Sequence, residues 1–345
     1  MQRIKIFVAI VLFMTLASPV LASDTMSPLI EQAMESLEVK KGNPHLCALT
    51  DAPYVSLNGE SCPEVVDVIQ DATGCSVGKR NLLFFQRAKT HPLLVALHRE
   101  DNGETVVIRH NGDSAQTLPF NMKGDSVSEP AKFEEIRKKL KGDAFTVVTL
   151  LSAHAKGAPY DFLKCCEHHN HYCPGVTSGY FIAHFVLDWY PKAAGEQYLW
   201  FACPPWCKDD AVSTTLDLTP GKGNLFVKDM AEGRSMEGPD GRFAGIMVRW
   251  DPKTKTGKAA VLQFDWNEAY RLAGLTPEEF NPKGGKSNPA FFTARIRCSW
   301  ALIPHLNEPE RFVSLFKEVD VDASALKRMK QAGEDPYTVI GISKH

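Results

Sequence analysis

Gly78-Lys79-Arg80-Asn81-Leu82 and Gly221-Lys222-Gly223-Asn224-Leu225 are one short segment written twice, 143 positions apart. The correspondence spreads outward in both directions. Upstream, Asp67-Val-Ile-Gln faces Asp210-Ala-Val-Ser at the same offset. Downstream, Leu93 to Arg99, a turn at Asp101-Asn102-Gly103 and Thr105 to Arg109 read as a β-hairpin. Ile246 to Trp250, a turn around Lys253–Gly257 and Lys258 to Phe264 read as its counterpart. The tails pair as well: Glu129-Pro130-Ala-Lys-Phe133 with Glu308-Pro309-Glu-Arg-Phe312, and Asp143-Ala-Phe-Thr-Val-Val with Asp335-Pro-Tyr-Thr-Val-Ile. Three ordered blocks of this kind argue for a tandem duplication.

Each copy reads helix, strand, helix, strand, hairpin, helix, strand. In the first copy Ser27-Pro28 is a cap-then-N1 start for a helix through Val39; Ser178 to Tyr190 is its equivalent. Strands are expected near His45–Leu49 and Tyr198–Ala202, and short helices near Val65–Ala72 and Asp210–Leu216. Pro130 and Pro309 mark further helix starts. Hairpin sheets with helices packed on them make each copy α+β. The expected units are residues 24–152 and 153–345, folded together as an internal pseudo-dimer. The second copy carries an insertion, roughly Glu268 to Trp300, rich in Pro, Gly and aromatics and placed to cover a site.

The 345 residues are 44% hydrophobic and 10% aromatic, which excludes intrinsic disorder. Lys and Arg number 39 against 41 Asp and Glu, so no basic excess draws the chain to nucleic acid or to a membrane surface. Arg3 and Lys5 precede an apolar run from Ile6 to Leu16 and then Ser18-Pro19-Val20-Leu21-Ala22. That is the pattern of a cleaved secretory signal peptide over residues 1–22, too short to span a bilayer. The mature balance becomes 37 against 41, and the expected location is periplasmic or secreted. Nine cysteines remain. Export makes disulfides the default for them, with at least one thiol left over.

Five of the nine lie between positions 165 and 207, mixed with histidines. The chain reads Cys165-Cys166-Glu167-His168-His169-Asn170-His171-Tyr172-Cys173-Pro174-Gly175, and the first copy has no equivalent. His169, His171 and Cys173 are spaced by two, so an extended segment points them to one side. Imidazole nitrogen and thiolate sulfur are the donors that borderline-soft divalent metals prefer. Cys203-Pro-Pro-Trp-Cys207 lies where a strand ends and a helix begins, and a helix N-terminus favours a Cys207 thiolate. One helix and one strand separate the two groups, a unit that returns the chain to the same end. The alternative is a surface His-rich loop with its cysteines in disulfides. The Gly-Lys-x-Asn-Leu segments lack the Walker spacing and lead into strands, which argues for structural turns. Lys79 and Lys222 stay as candidates for facing a ligand.

These residues resemble the FmdE family, named for formylmethanofuran dehydrogenase. Its domain carries a His-Gly-His-x-Cys-Pro-Gly loop, a Cys-x-x-Asp-Ala helix start and a Thr-Gly-Cys-x-x-Gly-Lys-Gly-Asn-Leu segment. The second copy matches the loop as His169 to Gly175, with Asn170 in place of Gly, and the helix start as Cys207-Lys208-Asp209-Asp210-Ala211. It keeps Gly221 to Leu225 but has Leu218 at the family's cysteine. The first copy keeps Thr73-Gly74-Cys75 and Gly78 to Leu82, has Glu64 at the Cys207 position and lacks the loop. The resemblance implies an α+β fold that tends to pair and a metal, usually zinc, at the His/Cys loop. One metal site is therefore expected, with His171, Cys173 and Cys207 as ligands, His169 next and Cys203 last. Asp210 is the expected partner orienting a ligand. The expected role is binding or handling a metal ion or a metal-containing small molecule, with the oligomeric state left open. The alternative is a metal-dependent enzyme acting on a small molecule at the same site.

Overall fold

The computed structural model describes residues 22–229 and 243–342. The expected signal peptide lies outside these residues except for Ala22. In chain order the first half comprises α1 (Ala22–Ser36), β1 (Leu46–Thr50), a small hairpin of β2 (Ser56–Leu57) and β3 (Glu60–Ser61), α2 (Val65–Thr73), β4 (Leu82–Phe84), β5 (Leu93–Arg99), β6 (Glu104–His110), β7 (Ala115–Asn121), α3 (Pro130–Leu140) and α4 (Ala144–Ala155). The second half comprises α5 (Tyr160–His168), α6 (Pro174–Trp189), β8 (Gln197–Ala202), α7 (Lys208–Leu216), β9 (Leu225–Val227), β10 (Phe243–Asp251), β11 (Thr256–Phe264), α8 (Trp266–Ala273), α9 (Pro277–Phe280), α10 (Pro289–Leu302), β12 (Val313–Asp322), α11 (Ala323–Lys330) and α12 (Pro336–Val339). The fold is α+β, with two five-stranded mixed sheets.

The two sheets have one topology. The first runs β4-β1-β5-β6-β7 and the second β9-β8-β10-β11-β12. Each has one parallel pair, β1 with β4 and β8 with β9, and antiparallel pairs elsewhere. The repeated Gly-Lys segments share their hydrogen bonds too. Asn81 Oδ1 accepts from Ser76 N–H as Asn224 Oδ1 accepts from Thr219 N–H. The carbonyls of Asn81 and Asn224 accept from Ala48 and Trp200, holding the parallel strand pairs together. The left-handed residue of the turn is Arg80 in one half and Gly223 in the other, both at φ 67°.

Several sequence expectations shift at the element ends. The first helix begins at Ala22 and contains Pro28, because the buried stripe of Met26, Ile30 and Ala33 extends a turn ahead of the proline. No strand closes the first half: β7 precedes α3, and the Thr146-Val147-Val148 stretch lies in α4, where Val147 and Val148 are core. Pro309 opens a short 3-10 turn that feeds β12, not a helix like the one Pro130 opens.

Period-two alternation divides the interior into three cores. Along β1, Leu46 and Ala48 belong to an outer core with α1 and α2, while Cys47 and Leu49 face a central core. Along β8, Leu199 and Phe201 belong to a second outer core with α11 and α12, while Trp200 and Ala202 face the central one. α3, α4, α5, α6 and α10 fill the central layer between the sheets. By position in the sheet, Ala48 beside Leu82 matches Trp200 beside Leu225. The first pair is outer and the second central. The halves therefore stack head to tail, unlike a two-fold dimer, which buries the same face of both partners.

Candidate metal centre

α5 ends with His169 as its C-cap, and Asn170 reverses the chain at φ 64°. Cys173 is the extended N-cap of α6. The loop is thus a tight helix-to-helix turn, and this turn, not an extended strand, brings its donors to one side. The N-terminus of α7 enters from the other direction with Cys207 as its cap residue. One donor atom each from His169, His171, Cys173 and Cys207 lies within 4.8 Å of the others.

Two glycines permit the approach of α7. A Cβ on Gly175 would lie 2.7 Å from Cys207 Cβ, and one on Gly179 would lie 2.0 Å from the Lys208 carbonyl oxygen. The α7 start is fixed further by Asp209, whose carboxylate accepts from Trp200 Nε1 at 2.7 Å and from Trp206 N–H at 2.6 Å. Buried Lys208 closes that network with Nζ 2.9 Å from the same carboxylate.

The first half builds the other wall. Phe84 N–H donates to Glu167 Oε1, and Gln86 N–H donates to Asn170 Oδ1 at 2.6 Å. Thr149 Oγ1 on α4 accepts from Tyr172 N–H at 3.0 Å. Tyr172, fully buried, reaches back to the Ser299 carbonyl on α10. The Phe145 ring packs 5.1 Å from that of His171. The loop is pinned between the halves.

His169 Nδ1–H donates to Asp210 Oδ2 at 2.6 Å, which leaves Nε2 as the ring's metal-facing nitrogen. Nε2 is buried and makes no hydrogen bond to any of the described residues. An orphaned imidazole nitrogen beside two sulfurs and a second imidazole is the donor set a zinc-type metal takes. Burial opposes charge on His169, yet Asp210 and Cys207 outweigh it and lift the ring to about 9. Burial lowers His171. The two thiols diverge: Cys173, together with His169 and His171, pulls Cys207 well below the ordinary thiol range against its burial, whereas burial pushes Cys173 well up. A metal ion would take the place of the protons carried by these donors when no metal is bound.

The remaining candidates lie elsewhere. Cys203 immediately follows β8 and lies on the opposite side, packed in the outer core with Phe201 and Phe243, and is not in the group. Lys79 Nζ donates to the Gly74 carbonyl at 2.8 Å, and Lys222 Nζ pairs with Asp217, so each lysine caps the end of its preceding helix instead of facing the cluster. None of the nine cysteines forms a disulfide, contrary to the default for an exported chain.

The sequence reading missed Phe145, Gly179 and Arg295. Gly179 had a signal, a second glycine one helical turn after Gly175. Arg295, in the α10 part of the insertion, lies 3.3 Å over the Phe291 ring and donates to the Phe280 and Phe291 carbonyls. Burial lowers it to about 10, against the pull of Cys173, Tyr270 and Cys207, so its charge stands near the cluster.

Fold and donor set together define an α+β domain with a metal-type His/Cys centre between two packed helices. Residues 168–295 match the family described as FmdE, molybdenum formylmethanofuran dehydrogenase operon. The match contains all four donors. No curated protein matches the chain.

Proposed function

We propose that this is an exported FmdE-family protein that binds a zinc-type transition metal through His169, His171, Cys173 and Cys207. We propose further that its work is to hold or hand over that metal, or a small molecule containing it. The observation that carries the reading is the convergence of four donors within 4.8 Å, with His169 Nε2 buried and unpaired. Four protein donors complete a tetrahedral shell, the arrangement of metal-holding sites; catalytic sites usually keep one position open. The sequence of residues 1–22 supports export, and among the described residues no helix is long and apolar enough to cross a membrane. Eight of the nine cysteines are buried, which shields them from oxidants in such a compartment. A duplicated origin of the two halves is part of the proposal, supported by their shared strand order.

One observation favours a metal-dependent enzyme as second reading. A cavity of about 450 Å³, lined by Phe133, Phe145, Phe292, Arg137 and Lys141, adjoins the Phe145 ring that packs on His171. It has the size of a small-molecule pocket. In the holding reading, Cys173→Ser and Cys207→Ser each weaken metal binding by at least about 100-fold, since a neutral hydroxyl is a poor ligand for such a metal. Cys203→Ser leaves affinity unchanged. Competition against a chromophoric chelator measures all three. Equal affinities across the three variants would remove the site.

A further inference from the structure

We propose a second metal site in the first half of the molecule, formed by Cys47, Glu100 and His154 and taking a divalent zinc-type ion. Cys47 lies on β1, Glu100 directly follows β5, and His154 is in the last turn of α4. One donor atom from each lies within 4.8 Å of the others. None of the three is in the segment that matches the FmdE family.

The donor set is sulfur, carboxylate oxygen and imidazole nitrogen, three ligand types that zinc accepts together, and three protein ligands leave a position open. Rigid elements supply all of them. β1 and β5 are hydrogen-bonded neighbours, and Cys47 is the cross-strand partner of His98, two residues before Glu100. His98 is buried beside them with Nδ1 2.8 Å from Thr105 Oγ1, and it is not in the group. His154 Nδ1 lies 2.5 Å from Glu100 Oε1. Among the described residues, the wholly buried Cys47 sulfur has only the Ala48 carbonyl, at 3.9 Å, as a hydrogen-bond acceptor.

The centre in the second half has the same build: donor atoms within 4.8 Å of one another, with a buried sulfur among them. A simple His–Glu ion pair requires no thiol at its base. Glu100 and His154 keep 21% and 17% of their side chains exposed, so the cluster opens to solvent on one side and an ion can enter. Entry would replace the Glu100–His154 hydrogen bond with two bonds to the ion.

Zinc titration of the full metal-free protein, followed by native mass spectrometry, tests the assignment. Two equivalents are expected for the wild type. Cys207→Ser should keep one, and adding His154→Gln or Glu100→Gln should weaken the retained one at least about tenfold. Cys47 is fully buried, so the two half-buried positions carry the test, with a metal-free melting curve confirming that each variant folds. The inference is overturned if the wild type holds a single equivalent that Cys207→Ser abolishes. It is equally overturned if two equivalents survive changes at both Glu100 and His154. A wild type with one equivalent that His154→Gln removes and Cys207→Ser does not would uphold this site and sink the proposed function instead.

Discussion

Asp51, immediately after β1, is wholly buried with one oxygen engaged and the other alone. Its Oδ1 accepts from Leu94 N–H at 2.7 Å, while Oδ2 has no partner among the described residues. Burial raises the carboxyl to about 7, against the Leu94 N–H and the Arg87 charge. An acid whose pKa is higher folded than unfolded destabilises the fold when ionised. Its contribution is therefore complete below about pH 4 and lost as pH rises through 7. Asp51→Asn keeps the acceptor for Leu94 and removes the charge. It should raise stability at pH 8 by no more than about 4 kcal/mol and change little at pH 4. Thermal melts across that range check the sign; identical pH profiles for variant and wild type would contradict it. Cys203 occupies the matching place after the first strand of the second sheet. Cys203 alternates with Trp200 and Ala202 along the chain, but only the structure shows that the Trp200 side, not the Cys203 side, faces the central core. Proximity to Cys207 along the chain hid that alternation.

At the scale of elements, α6 and α7 decide whether the donors meet. The elements from the first helix through the hairpin of each half were legible from periodicity and from proline and glycine positions, whereas β7, α4, α5, β12 and the helices from α8 onward were not. The helix-to-helix turn at His169 to Cys173 was not legible either, because alternate spacing of polar donors fits an extended segment equally well. What decides against a strand is tertiary: Glu167 and Asn170 are held by backbone N–H groups of the first half. Gly179 marks where the helices touch. Gly179→Ala would set a methyl group 2.0 Å from a backbone oxygen, which no rotamer relieves. The helices must separate, at a cost of about 1–3 kcal/mol or more. Metal affinity should fall along with the melting temperature. A variant as stable as wild type, with unchanged affinity, would show that the approach of α7 does not set the site.

At the scale of the molecule, the likeness of the halves was legible in the Gly-Lys-x-Asn-Leu segments, but their stacking was not. Nothing in a repeated sequence states which face of each sheet turns inward. The central core settles it by joining residues such as Leu49, Leu94 and Ile136 of the first half to Phe181, Trp200 and Ile296 of the second. Residues 22–158 alone would leave the outer sides of α3 and α4 in water, including Phe133 and Val147. That fragment should aggregate or self-associate at concentrations where the whole chain is monomeric, as sedimentation velocity would show. A stable monomeric fragment would contradict a shared core.

The central claim is that Cys173 and Cys207 hold a metal together. Thiol alkylation of the native protein, before and after chelation and without reductant, tests it most directly, with labelled positions read by peptide mass spectrometry. Both cysteines should resist labelling until the chelator strips the metal and then react, Cys207 ahead of the more deeply buried Cys173. Labelling that ignores the chelator and appears only after reductant would mean a disulfide in place of the metal, and the centre described here would not exist.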